Sequence, residues 1–343
     1  MQPHGAGRTH GGRPGPCPLS HAPRLLVYFP SGGTILRGGA HAGPQLGGST
    51  AILIHIADIV LPVFIVVAAG FLFGKVRRLD LTPINDFVIY VSTPCLIVSS
   101  LSRNPIEGGL IGKVFLSVAL VVGVSLAAGY VVVRALGLRQ DVYLPPVAFA
   151  NTGNMGLPLV LFAFGDAGFN AGILYMVGMT VVHYTVGVAI LSFDVSRFEV
   201  FKLPLLYAAA LGIVLSLGSW HLPGPLFDAV DLLGEATIPT MIFSLGYKLS
   251  EATLEDMGRS FLLGALRIVT GAAAGAAAAA LLGLGGAVRG VVMLDAAMPP
   301  AVFNFVLAEK YGKDSKAVAS VIMAGTLLSL ATTPLILLYL LGG

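Results

Sequence analysis

The chain has 343 residues, of which 56% are hydrophobic and only 11% charged. Soluble globular proteins carry about 25% charged residues, so this composition, with a mean hydropathy of +0.88, lies outside their range and reads as a polytopic membrane protein. The net charge of +3 names no partner: the basic residues sit in short loops rather than in a patch, and no nucleic-acid partner is expected.

In chain order, residues 1–50 are rich in Gly, Pro, His and Arg, and their longest apolar run, Leu25 to Phe29, is too short for a signal-peptide core. The expectation is a disordered tail, an upstream extension added by an early start codon, in front of a membrane domain over residues 51–343. Cys17 lies in the tail and Cys95 in an apolar span, which leaves neither a disulfide framework nor a Cys-based metal site. No metal or cofactor is expected.

A bilayer-crossing helix needs about 20 apolar residues. That length predicts ten spans, at 51–74, 83–102, 110–133, 142–165, 168–193, 203–220, 226–249, 258–283, 288–309 and 317–341. The fold class is therefore all-α. Lys75, Arg77, Arg78, Arg134, Arg139, Arg197, Lys202, Lys248, Arg259, Lys310, Lys313 and Lys316 fall on one side of such a bundle, against Arg103, Lys113 and Arg289 on the other. Positive-inside bias then puts both ends of the bundle outside the cytoplasm of a cell's cytoplasmic (inner) membrane.

The fourth span is interrupted. From Asn151 to Pro158 it carries two asparagines, a threonine, two glycines and a proline, so it cannot be one continuous helix, and unpaired backbone survives in a membrane only beside protein or a wet cavity. The ninth span has a break of the same kind, Leu294-Asp-Ala-Ala-Met-Pro-Pro-Ala-Val-Phe-Asn304. The second and seventh spans also echo each other, Ser92-Thr-Pro-Cys-Leu-Ile-Val-Ser-Ser100 against Thr237-Ile-Pro-Thr-Met-Ile-Phe-Ser-Leu245. Five spans per half is an odd number, so the second half enters from the opposite face, an inverted repeat of residues 51–193 and 203–341. Paired interrupted helices in such repeats point to a secondary transporter's binding site.

These residues carry a family resemblance. Asn151-Thr-Gly-Asn-Met-Gly-Leu-Pro-Leu159 resembles the fourth-helix motif of the auxin efflux carrier family, and Ala297-Met-Pro-Pro-Ala-Val-Phe-Asn-Phe-Val-Leu-Ala-Glu-Lys-Tyr-Gly312 its ninth-helix motif. Ile59-Val-Leu-Pro-Val-Phe64 and Asn85-Asp-Phe-Val-Ile-Tyr-Val-Ser-Thr-Pro94 are similar to its first and second helices. The resemblance implies ten helices, with the fourth and ninth broken and crossing near the bilayer centre and helices one, two, six and seven forming a scaffold that also makes a homodimer. It implies transport of small carboxylates such as malate or malonate in bacterial members, and of auxin in plants. The long cytoplasmic loop of many plant members is missing, so a bacterial malate/malonate permease is the nearer pattern.

Pro158, Pro299 and Pro300 suit the first turn of a half-helix, where a missing N–H costs nothing. Two half-helix N-termini at the midplane would offer N–H groups and partial positive charge to a carboxylate. Asn151 is the first candidate side-chain donor, and capping of the broken helix is its other role. Asn304, Asn154 and Thr152 follow, with Gly156 in the same break. Asp295, an acid within a span, is a candidate for coupling transport to H+ or Na+; neutralising a half-helix end or pairing with Arg289 is the alternative. His183 reads as a core histidine, and Arg267, eight residues beyond Arg259, as a side chain that snorkels towards the cytoplasm. A cation/proton antiporter of similar crossed-helix architecture is the competing function. Its scheme needs carboxylates at the crossing, where only Asp295 qualifies. An intramembrane enzyme lacks a His-Glu-x-x-His motif or a pair of catalytic acids.

Overall fold

A computed structural model describes residues 48–103, 108–192, 201–251 and 256–342. The tail expectation covers residues 1–50, of which 1–47 lie outside that set and 48–50 open the first helix. The described residues form helices and no strand. They are α1 (Gly48–Val76), α2 (Thr82–Arg103), α3 (Gly108–Ala135), α4 (Gln140–Ala148), α5 (152–164), α6 (Gly168–Leu191), α7 (Pro204–Leu217), α8 (Gly224–Glu235), α9 (Thr237–Glu251), α10 (Met257–Leu281), α11 (Gly286–Ala296), α12 (Phe303–Lys310) and α13 (Ser315–Gly342).

Six of these are long and apolar enough to cross a membrane: Ile52–Val76 within α1, then α2, α3, α6, α10 and α13. Proline and glycine interrupt several of the others and distort α2 without ending it. Proline lacks the N–H that would return to the carbonyl four residues back and clashes with it, and the backbone answers by widening the preceding turn. Pro94 follows a π-helical turn at Val88–Ser92, and Pro158 follows one at Thr152–Gly156. Gly165, at φ 60° and ψ −161°, turns the chain sharply between α5 and α6, a conformation that only glycine adopts without strain.

The helices pack as two groups. In the first, α1 lies so close to α9 that a Cβ on Gly70 would come within 2.1 Å of the Phe243 carbonyl oxygen, and one on Gly246 within 1.9 Å of that of Val67. Lys75 Nζ donates to Ser250 O at 2.7 Å, and the Tyr247 hydroxyl accepts from Leu79 N at 2.6 Å. Against α2 pack α7 and α8, and Ser92 Oγ and Thr237 Oγ1 are 2.7 Å apart, with Ser92 donating to Leu233 O at 2.8 Å. In the second group α10 packs between α3, α11 and α13, around the breaks. Large apolar side chains such as Leu61, Ile65, Tyr207, Val131, Val269 and Leu335 remain exposed on the outer surface of both groups, a surface suited to lipid.

Candidate functional site: two helix breaks that cross

The break between α4 and α5 and the break between α11 and α12 meet each other. Asn151 N donates to Pro299 O at 2.8 Å and Ala301 N donates to Phe149 O at 2.9 Å, an antiparallel pairing centred on Ala150 and Pro300. Each break thereby satisfies polar backbone of the other, which is how non-helical chain persists away from water. Asn151 itself, at φ −81° and ψ 64°, is the centre of an inverse γ-turn closed by Thr152 N to Ala150 O at 3.0 Å.

The N-terminal side of this crossing is donor-rich. The first bonds returned by the turn that opens α5 run from Gly156 N to Asn151 O, at 3.0 Å, and from Leu157 N to Thr152 O. The N–H groups of Gly153, Asn154 and Met155 thus precede the ladder, as at any helix start. Asn151 is 4% exposed and its Nδ2 has no hydrogen-bond partner, a state buried amides rarely tolerate. Thr152 and Gly156 are buried, whereas Gly153 and Asn154 are partly exposed. Pro158 lies in the first regular turn beyond them, as expected. A Cβ on Gly153 would approach Met241 Cε at 3.1 Å, so the break faces α9 of the first group.

The second break differs from expectation. Pro299 and Pro300 are not in the first turn of a half-helix: α12 begins only at Phe303, and the two prolines lie in the extended stretch that pairs with Ala150. Pairing across the crossing uses the Pro299 carbonyl, which a helical turn would have withdrawn. Asn304 is the second residue of α12, and both polar atoms of its side chain have a partner. Oδ1 meets His183 Nε2 at 2.8 Å and Nδ2 donates to Ala301 O at 2.9 Å. His183 is stacked on Phe149, with ring centroids 4.2 Å apart, and edge-on to Phe303. The imidazole is thus a buried core group that fixes Asn304, as the sequence suggested for His183 alone.

Asp295 is in the last turn of α11 and fully buried, and neither carboxylate oxygen has a hydrogen-bond partner. It does not pair with Arg289. Its Oδ1 lies against Gly156, where a Cβ would come within 2.1 Å, so the acid of one break rests on the glycine of the other. Tyr175 is buried on α6 and its hydroxyl has no hydrogen-bond partner.

Arg267 corrects the sequence reading most. It does not snorkel: it is fully buried. Nη1 donates to Ala148 O at 2.7 Å, to Val147 O at 3.3 Å and to Ser125 Oγ at 3.1 Å, and Nη2 donates to Ala296 O. The orphan carbonyls at the C-terminal ends of α4 and α11 are therefore capped by one guanidinium. Sequence distance hid this, because the partners come from three remote segments. The available signal was Gly271, one turn beyond Arg267, where a Cβ would strike Ala296 O and Arg267 Nη2.

Comparison with known proteins gives the family of this chain. The family model described as "Membrane transport protein" matches residues 55–193 and 194–337. The chain belongs to that family, the auxin efflux carriers. An "Uncharacterized transporter" of Methanothermobacter thermautotrophicus is 28% identical over 294 residues, which cover 81% of this chain and 96% of the relative. A "Putative malonate transporter" of Rhizobium meliloti is 26% identical, covering 81% of this chain and 93% of the relative. Auxin efflux carrier component 5 of Arabidopsis thaliana is 29% identical, covering 62% of this chain and 64% of its own length. As a member of the auxin efflux carrier family the chain is a membrane transport protein, and its crossed breaks lie where its group of helices around α10 meets α9.

Proposed function

We propose that this auxin efflux carrier family member is a secondary transporter of small organic anions, carboxylates, across the cytoplasmic membrane, and that the substrate carboxylate binds at the crossing. The observation that carries the reading is the pairing of Ala150 with Pro300 beside a buried Asn151 Nδ2 that has no acceptor. A carboxylate would supply that acceptor, and the first-turn N–H groups of α5 would share its charge. Thr152, Asn154 and Gly156 line the same turn, Pro158 stands in the regular turn that follows it, and Pro299 and Pro300 belong to the extended stretch paired with Ala150. Asn304 takes a supporting place, since His183 and Ala301 occupy its polar atoms. The malonate relative supports the substrate class by its name alone.

The wider reading is a ten-span bundle built as a five-plus-five inverted repeat. Three pairs of features support it. The contacts of α1 with α9 and of α2 with α7 join first with seventh and second with sixth spans, as a two-fold relation between halves requires. Ser92 and Thr237, aligned in the echoed motifs, hydrogen-bond each other. α3 and α10 end alike, Gly137 N to Arg134 O with Leu138 N to Val133 O, and Gly283 N to Ala280 O with Leu284 N to Ala279 O, the same Schellman closure. Transport then proceeds by alternating access, the group carrying the crossing shifting against α1, α2 and α7–α9. Both ends of the bundle lie outside the cytoplasm, and the exposed apolar face of that scaffold pairs two copies as a homodimer. Asp295, without a donor to either oxygen, is the group placed to carry a coupling proton. The antiporter alternative is weaker, since the crossing offers one carboxylate and holds a buried arginine.

The test is a thermal-shift panel of dicarboxylates, monocarboxylates, indole acids and amino acids on the purified protein. A ligand at 100 times its Kd stabilises by about 2.7 kcal/mol. Stabilisation by a carboxylate in the parent, lost in a folded Asn151→Ala variant, is the expected result. A panel without a carboxylate response, or equal responses in both proteins, would remove the proposal.

A further inference from the structure

Four oxygens from three separated parts of the chain converge on a single side chain at the crossing. Three are main-chain carbonyls, Val147 O and Ala148 O at the end of α4 and Ala296 O at the end of α11, and the fourth is Ser125 Oγ on α3. Each helix end carries about half a negative charge, and here two ends point at one buried place. Helix C-termini and unwound carbonyls at the midplane of broken-helix transporters are what coordinate a sodium ion. In this chain the place is taken by Arg267, which is fully buried and whose guanidinium neither loses its proton nor leaves.

We propose that Arg267 is the resident cation of the crossing: its guanidinium fills the four-oxygen cradle where a carrier of this architecture would otherwise hold an alkali cation, so this chain's cycle takes no sodium ion there. The occupancy of the cradle stands on the hydrogen bonds alone. Its consequence for transport rests on the carrier reading above.

The surroundings are built for a large, fixed cation. Gly271, one turn beyond Arg267, leaves room where a Cβ would strike both Nη2 and the Ala296 carbonyl. On the opposite wall Ser125 stands four residues before Gly129, as Arg267 stands four before Gly271, and a Cβ on Gly129 would come within 2.9 Å of Val147. The two walls are thus alike in their glycines and unlike in the residue beside the cradle: one contributes the cation and the other a hydroxyl that accepts from it. Asp295, the residue before Ala296, makes no hydrogen bond with the guanidinium or any other donor. Three carbonyls and the Ser125 hydroxyl, not an acid, accept from Nη1 and Nη2, while the buried Nε–H has no partner.

The experiment measures melting temperature of the purified full chain, without substrate, in sodium chloride and in N-methylglucamine chloride at equal ionic strength. The parent should melt alike in both. Arg267→Ala leaves four acceptors around vacated space, so it should melt several degrees lower, and millimolar guanidinium or sodium should restore part of that loss where N-methylglucamine does not. If Arg267→Ala does not fold, Arg267→Lys and Arg267→Met replace it: lysine, which keeps the charge, should melt well above methionine. A sodium-dependent melting point or sodium-stimulated uptake in the parent would overturn the inference. So would an Arg267→Ala protein as stable as the parent, one that no small cation restores, or lysine and methionine variants that melt alike. Because melting needs no substrate, failure of the carboxylate panel would leave this result standing, and sodium-stimulated uptake would leave the carrier reading standing.

Discussion

Asn151 and Asp295 pose opposite problems at one crossing: an amide with donors to spare, and an acid with no donor to either oxygen. Both were legible in the sequence, because a polar residue inside an apolar span stands out on composition alone. What each touches was not. The sequence offered Arg289 as partner for Asp295 because it is near along the chain, yet the acid rests on Gly156, far along the chain in the other break. Likewise Arg267 looked like a surface-seeking side chain until Val147, Ala148 and Ala296 surrounded it. A proton carried by Asp295 makes a specific demand. Asp295→Asn keeps the shape and loses no hydrogen bond, so it should fold with a melting temperature no lower than the parent's. Its transport, measured in proteoliposomes across a pH series, should lose the parent's pH dependence. A variant that keeps the parent profile would show that the coupling proton resides elsewhere.

Among the elements, the interruptions were readable and their continuation was not. Two clusters of glycine, asparagine and proline announced that the fourth and ninth spans break, and they do, between α4 and α5 and between α11 and α12. Prolines at a helix start are common, which favoured Pro299 and Pro300 as first-turn residues. The antiparallel pairing with Ala150 holds them in extended chain instead, a tertiary contact that local propensity does not encode. The close contact of α1 with α9 belongs to the same class: Gly70 and Gly246 each lie against backbone of the other helix. Small residues at helix interfaces let backbones approach in a membrane. Gly246→Val must therefore push the pair apart, at a cost of about 1–3 kcal/mol by analogy with overpacked cores. It should melt below the parent, while Gly112→Val on α3, where nothing lies within 4 Å, should melt like it. Equal melting of the two variants would mean that α1 and α9 are not held at backbone contact.

For the molecule as a whole, the sequence speaks through charge as much as through hydropathy, since twelve basic residues against three assign a side to each loop. The proposed orientation makes two loops opposite in exposure. His221, between α7 and α8, faces outward from the cell, and Arg78, between α1 and α2, faces the cytoplasm; both are exposed. In a background with Cys17 and Cys95 replaced, His221→Cys should react with a membrane-impermeant maleimide in intact cells, and Arg78→Cys only after permeabilisation. The reverse pattern would invert the bundle. It would leave the crossing, Arg267 and the proposed carboxylate site intact, because those depend on contacts between helices rather than on the bilayer's polarity. The potential acts on the substrate either way: about 2.3 kcal/mol per charge per 100 mV favours export of a monoanion from a negative interior. Uptake would then need a compensating positive charge, which in the proposed scheme is the proton on Asp295.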